Sequence, residues 1–228
     1  MHNSTKIQCE ATQRGIQYLL HFTQIQNLPG IVTHGLLSRA DLNERGLDAY
    51  GSSRHRRDLK DQAISLSISA VYPKMFRAKQ RAAGNPNWAV LLLDPGILWT
   101  HRCRFLHRSA GKRESMKHTG YLGGPWGFSR MFAGDGRPPG IPDCLPTYPD
   151  AEVQVFEPIL PEMILELWID RPDFAEALQA ELNRLPGAER NVVRCSSWPI
   201  FQNGYREWLI PSANWEWSLD ASSQTPRR

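Results

Sequence analysis

Apolar and polar positions follow short, readable patterns along this chain. Leu19, Leu20 and Phe22 predict a short buried strand ending in the small polar groups His21 and Thr23, which alternation turns to one face. A helix is expected to start at once, with Asn27 as its N-cap, Pro29 in the first turn and Gly35 as a left-handed stop. Its apolar face is Leu28, Ile31 and Val32, with Leu36 beyond, so residues 18–36 form strand, turn and short helix. Ala63 to Ser69 alternates with a period of two, sending Ile64, Leu66 and Ile68 to the core and Ser65, Ser67 and Ser69 to the other face. Trp88 to Leu93 is an unbroken apolar strand closed by the Asp94-Pro95-Gly96 turn. Between Tyr148 and Phe156, Ala151, Val153 and Val155 alternate with Glu152 and Gln154, which is a strand with one apolar face.

Elsewhere the pattern predicts helices over Lys74–Arg81 and Pro172–Leu182, the latter with Phe174, Leu178 and Leu182 on one face, and a strand over Asn191–Phe201 packed by Trp208, Trp215 and Trp217. Ser38–Lys60, the basic His101–His118 and the Gly-, Pro- and aromatic-rich Gly120–Tyr148 read as long loops, which are commonly functional. Residues 1–15 and 222–228 read as flexible ends of a single domain spanning 1–228.

Composition sets outer limits. The 228 residues are 41% hydrophobic and 22% charged, enough for one sizeable core. The longest apolar run is the Trp88 strand, which excludes a membrane-spanning helix, and the N-terminus lacks a signal peptide's apolar stretch. Cys9, Cys103, Cys144 and Cys195 are scattered without metal or disulfide spacing, so a cytoplasmic protein with no metal is expected. His101 with Cys103, or His107 with His118, lacks the second tight pair that a metal site needs, and no paired carboxylates suggest a metal-dependent nuclease. Charge changes the picture more. Arg54–Lys117 carries fourteen Lys and Arg against four Asp and Glu, and Pro149–Asp220 carries five against thirteen. Either the basic middle binds nucleic acid through phosphates, or the two halves pair across the fold. The first reading makes Arg56, Arg102, Arg104, Arg108, Lys112 and Arg113 nucleic-acid contacts, with Trp126 as a stacking surface. Its rival has Trp126 and Phe128 anchoring the loop to the body.

Three further stretches carry candidate chemistry. The first is H-F-T-Q-I-Q-N-L-P-G-I-V-T-H-G-L-L-S, from His21 to Ser38. The second is the double arginine Arg56-Arg57, which in isolation is a solvated charge run. The third is A-E-V-Q-V from Ala151, followed by Pro161 and Ile164, in which Glu152 would ordinarily be the wet side of a strand. In this order the three stretches resemble the DarT family of DNA ADP-ribosyltransferase toxins, which opens H-x-T-x-I-x-N-L-x-x-I-x-x-x-G-L-L. The likeness covers residues 18–76 and 148–164, and the serine strand departs from it.

The resemblance implies an α+β fold of ADP-ribosyltransferase type, with two small, mainly antiparallel sheets packed around an NAD cleft and flanking helices. It implies NAD as co-substrate, Glu152 as the catalytic carboxylate, and Arg57 on the pyrophosphate or the target, with Arg56 as the alternative if the register slips. It also implies His21 on the adenosine-side ribose and Thr23 fixing the dinucleotide. Asn27 is a cofactor contact or a helix cap, and Ser67 is a candidate NAD contact. The segment before Glu152 corresponds to the substrate-recognition loop of such transferases. The implied target is thymine or guanine in single-stranded DNA, and the implied partner a macrodomain antitoxin that removes the mark. An RNA or protein target, or a non-catalytic nucleic-acid-binding module, are the competing readings.

Overall fold

The computed structural model describes residues 2–51, 58–84, 87–118, 120–134, 137, 139–169, 172–185 and 195–197. Seven strands are described: β1 (Leu19–Gln24), β2 (Ile64–Ile68), β3 (Trp88–Leu93), β4 (Cys103–Leu106), β5 (Glu152–Val155), β6 (Ile164–Ile169) and β7 (Cys195–Ser197). The helices are α1 (Asn3–Gln13), α2 (Leu28–His34), α3 (Arg39–Glu44), α4 (Pro73–Ala83), α5 (Ile97–Thr100), α6 (Arg113–Lys117), α7 (Pro125–Arg130) and α8 (Pro172–Leu182). The strands lie in the order β4-β5-β2-β1-β3-β6-β7, with every pair antiparallel except β6 with β7.

Alternation sorts each strand between two layers. Leu19, Ile64, Leu66, Ile68, Leu91, Val153 and Leu167 point into the main core, where they meet Ile7 and Ala11 of α1, Leu28 and Val32 of α2 and Phe128 of α7. Leu20, Val90, Leu92 and Trp168 point the other way onto Val71 and Phe76. There Phe22, Phe76 and Trp88 contact one another edge-on or tilted, Phe22 and Phe76 with centroids 5.0 Å apart. All six residues of β3 are buried, as its unbroken apolar run requires of a strand covered on both faces.

The expected mixture of helices and mainly antiparallel strands is what the chain adopts. The two expected sheets are two halves of one strand order that meet at a narrow seam. β1 pairs with β3 over six residues but with β2 only through Leu19↔Ile68 and Leu20↔Ser67. Past Leu20 the two strands part.

Several expected loops are ordered elements. The chain's start is the helix α1, not a flexible lead-in: Arg14 bonds Glu10 one turn back, lies 4.1 Å from the Phe132 ring, and Glu10 also accepts the Ser129 hydroxyl. Ser38 caps α3 in a reciprocal capping box with Asp41. The basic run His101–His118 contains β4 and α6, and Gly120–Tyr148 contains α7, with Phe128, Met131 and Leu145 fully buried. Asn27 does not cap α2, because its own backbone is helical and its side chain is committed elsewhere. Arg56 and Arg57, Trp208, Trp215 and Trp217, and the tail from Ser222 lie outside the described residues, as does most of the expected strand Asn191–Phe201 beyond β7.

Gly35 closes α2 with φ of 82°, where a side chain is strained. A Cβ there would also strike the Ile159 carbonyl, because Leu36 and Ile159 exchange two backbone hydrogen bonds at 2.8 and 3.0 Å. That bridge ties the end of α2 to the chain leaving β5.

Candidate active site at the seam

The site forms where β1 and β2 separate. If their register continued by two residues, Phe22 would stand against Ser65. Instead the ring of His21 turns to β2, and its Nδ1 lies 2.9 Å from the Ser65 carbonyl. A carbonyl only accepts, so Nδ1 carries the proton and, in the neutral ring, Nε2 has acceptor character. The imidazole thus stands in for a backbone donor and bridges the seam.

Glu152 begins β5, on the other side of β2. Its Oε1 accepts the Ser65 hydroxyl at 2.6 Å, and its Oε2 accepts the Ala110 N–H at 2.9 Å. Hydrogen bonds to a charged acceptor are short and strong, and they hold the carboxylate in one orientation. Ser65 therefore joins the sequence-predicted His21 to the sequence-predicted Glu152, its carbonyl on one and its hydroxyl on the other. Ser67, the serine singled out from the sequence, is buried, and its register position is one step beyond the last β2–β5 pair, opposite Glu152. The hydroxyl that reaches the carboxylate is that of Ser65, diagonal to it. Both serines share a face of β2, so alternation selects the pair and only the register separates them.

Thr23 is buried, and its Oγ1 accepts from Asn27 Nδ2 at 2.9 Å. Asn27 also grips the backbone of Tyr50, donating to its carbonyl at 2.9 Å and accepting its N–H at 2.7 Å. The asparagine that looked like a helix cap thus fastens a distant loop beside Thr23. Past the undescribed 52–57 the chain resumes at Asp58, whose carboxylate accepts Gln154 Nε2 at 2.6 Å. Gln154 is fully buried and lies on the same face of β5 as Glu152.

Next to Glu152 stands an ion cluster that no sequence motif marks. Asp150 is 5% exposed, and its carboxylate meets Arg108 Nε at 3.0 Å, Lys112 Nζ at 3.0 Å and the Ser109 N–H at 3.2 Å. The Arg108 guanidinium also lies 4.3 Å from the Tyr148 ring. The only sequence signal for Asp150 is its place two residues before Glu152. His107 contacts the same ring, and burial, followed by the nearby Arg130, lowers its pKa.

The expected nucleic-acid contacts are thus dispersed. Arg108 is internal, and Arg104 spans Gln154 Oε1 and the Ser115 carbonyl at 3.5 and 3.4 Å. Arg102 is exposed and bonds the Phe156 carbonyl. Arg113 is exposed and, with Lys112, Glu114 and Lys117, lines an open hollow of about 500 Å³. Trp126 is 58% exposed and pairs with Arg130 at 5.1 Å, whereas Phe128 is core. Charge therefore divides: part of the basic middle pairs with the acidic half and part faces outward.

The family model described as "ssDNA thymidine ADP-ribosyltransferase, DarT" matches residues 20–198, which include β1 from Leu20, β2, β5 and every site residue above. A search of curated proteins by sequence returns no match. Among solved structures, the chain is similar to Thermus sp. 2.9 DarT in complex with NAD+, at 16% identity and TM-score 0.55, covering 79% of this chain and 95% of that one. It is also similar to Thermus sp. 2.9 DarT in complex with ADP-ribosylated ssDNA, at 15% identity and TM-score 0.51, covering 80% and 95%. Thermosipho africanus DarTG in complex with ADP-ribose matches at 14% identity and TM-score 0.49, and the chain covers half of that protein's length. At such identities the likeness to these structures is one of fold.

Proposed function

The chain belongs to the DarT family of ssDNA thymidine ADP-ribosyltransferases, and from that premise we propose that it transfers ADP-ribose from NAD to thymine in single-stranded DNA, with Glu152 as its catalytic carboxylate. The observation that carries the reading is the bridge from His21 through Ser65 to Glu152, which gathers residues from two distant stretches of the matched region at one seam.

In this reaction the bond between the nicotinamide ribose C1′ and the nicotinamide nitrogen breaks, and its electron pair leaves with neutral nicotinamide. Positive charge then spreads over C1′ and the ring oxygen. A preoriented carboxylate stabilises that charge most strongly as it develops, here through a hydrogen bond from the ribose 2′-hydroxyl to Glu152. The thymine ring nitrogen forms the new bond to C1′, and its proton passes to Glu152, a positioned base worth ~10²–10⁴-fold. The Nε2 acceptor of His21 takes a hydroxyl of the adenosine-side ribose, and Thr23 fixes the dinucleotide, which holds C1′ in place. Asn27 serves the site by fastening Tyr50 beside Thr23. Arg57 is proposed for the pyrophosphate, with Arg56 as its alternative, since a guanidinium matches phosphate oxygens in a bidentate way.

Thymine must be unstacked to be reached, which single-stranded DNA allows. The exposed Arg113 and Lys117, with Trp126 and Arg130, supply phosphate neutralisation and a stacking face for such a strand. The macrodomain antitoxin implied by the family resemblance is the partner this reading carries, acting on the product. The test is nicotinamide release measured with oligonucleotides that contain or lack thymine, using wild type and Glu152→Gln. Release that needs thymine and Glu152 supports the proposal. Release stimulated only by RNA or protein would move the target, and no release at all would contradict the reaction.

A further inference from the structure

We infer that Asp150 is a positioning residue for Glu152, acting by clamping the Arg108–Lys112 segment so that the Ala110 N–H stays on the catalytic carboxylate. The inference rests on the reading of Glu152 just given.

Three groups from one five-residue stretch converge on Asp150: the Arg108 guanidinium at 3.0 Å, the Ser109 N–H at 3.2 Å and the Lys112 ammonium at 3.0 Å. Between these ties lies Ala110, and its N–H is the donor at 2.9 Å to Glu152 Oε2. Asp150 lies two residues before Glu152, in the turn closed by the Ala151 N–H on the Tyr148 carbonyl that leads into β5, so the carboxylate that holds the segment and the one that uses it are carried close together. The β4–β5 ladder ends at Leu106↔Glu152, so sheet pairing does not fix the segment beyond it. The Asp150 contacts do, together with the packing of Ala110 against Leu106 and Leu122 and the Ser115 hydroxyl on the Arg108 carbonyl.

Burying the Asp150 carboxylate beside a partly buried Arg108 and a half-exposed Lys112 adds little to stability by itself, because desolvation offsets much of the attraction. It suits the selection of one arrangement. Asp150 is 5% exposed and the Arg108 side chain 16%, so separating the two charges is costly, and the segment is held to the arrangement that keeps them 3.0 Å apart as an ion pair. Stacking of Arg108 on Tyr148 adds a second constraint. The consequence falls on Glu152: with the segment displaced, Oε2 loses its donor and the carboxylate gains freedom just where charge develops on the ribose.

The test uses the purified full chain with NAD and a thymine-containing oligonucleotide. Asp150→Asn is compared with wild type and then introduced into Glu152→Gln. The expected result is a fall in kcat of about 10²-fold with KM for NAD within about twofold, because orientation is lost and binding is not. In the Glu152→Gln background the same change lowers the residual rate little further, since both substitutions act through one carboxylate. A merely structural Asp150 would reduce the folded fraction, and so the rate, by the same factor in both backgrounds. That result, or a wild-type kcat in Asp150→Asn, would overturn the inference. Full activity of Glu152→Gln would overturn it together with the reading it rests on, whereas an inactive Glu152→Gln beside an unaffected Asp150→Asn would overturn the positioning role alone. Lys112→Met removes one tie from a half-exposed side chain. It serves if Asp150→Asn does not fold, with a smaller fall in kcat and the same loss of additivity expected.

Discussion

Ser65 and Glu152 show how much rests on a few polar atoms. The Ser65 hydroxyl donates to Glu152 at 2.6 Å while its carbonyl accepts from His21, so one residue orients both ends of the candidate site. Hydrogen bonds to charged groups contribute about 1.5–3 kcal/mol, so Ser65→Ala is expected to lower kcat about tenfold to a hundredfold. The backbone carbonyl survives that change, so His21 keeps its partner and the KM for NAD stays close to that of wild type. Steady-state kinetics with a thymine oligonucleotide checks both halves of this expectation. The thiols give a simpler contrast. Burial, followed by the nearby Glu157, pushes the Cys103 thiol up to about 12, and burial raises Cys144 too, whereas Cys9 is exposed. The thiolate is the reactive form, so alkylation of the native protein at pH 8 should mark Cys9 and leave Cys103 and Cys144 unlabelled until it is unfolded. Peptide mapping before and after denaturation reads this directly.

At the scale of elements, the joint after α2 is the most exacting backbone site. Gly35→Ala meets a positive φ and the Ile159 carbonyl at once, and it breaks the Leu36–Ile159 bridge. The expected cost is about 2 kcal/mol or more, seen as a lower denaturant midpoint at unchanged slope. The sequence pattern reveals β1, β2, β5, α4 and α8 through their periodicity and β3 through its unbroken apolar run. It hides α1 because only Ile7 and Ala11 mark its buried face, and the helix leans on distant partners, Ser129 and Phe132. It hides β4 because Cys103 and Phe105 are submerged in a run of cations, and it makes Gly120–Tyr148 look like a loop although Phe128, Met131 and Leu145 fill the core. Site residues split in the same way. His21 and Glu152 are legible as motif positions, while Ser65, Asp150 and the Ala110 N–H depend on strand register and a long-range contact that no local pattern encodes. Asn27 is legible as important, but its role is not. A polar residue before Leu28-Pro29 looks like a cap, and only the fold brings Tyr50 to it.

Across the whole molecule, the basic middle of the sequence is not one surface. Arg108 and Lys112 are committed to Asp150, which withdraws them from phosphate binding, while Lys74, Arg77, Arg81, Arg102, Arg113 and Lys117 are exposed on different elements and only some can meet one strand. Affinity for single-stranded DNA should therefore fall with salt as expected for only a few phosphate contacts, with a slope of about −0.7 per contact in log–log form. Trp126→Ala should weaken binding by about 1–3 kcal/mol without changing that slope, since stacking releases no counterions. Fluorescence titration over a salt series measures both.

The most direct measurement is the mass of a single-stranded oligonucleotide with one thymine after incubation with the protein and NAD, followed by fragmentation to locate the added group. The expected product carries one ADP-ribose on the thymine base, absent when NAD is omitted and formed at only a small residual rate by Glu152→Gln. An unmodified strand under conditions where the protein is folded, or an adduct formed equally well by Glu152→Gln, would contradict the assignment of Glu152 as the carboxylate of a thymine ADP-ribosyltransferase.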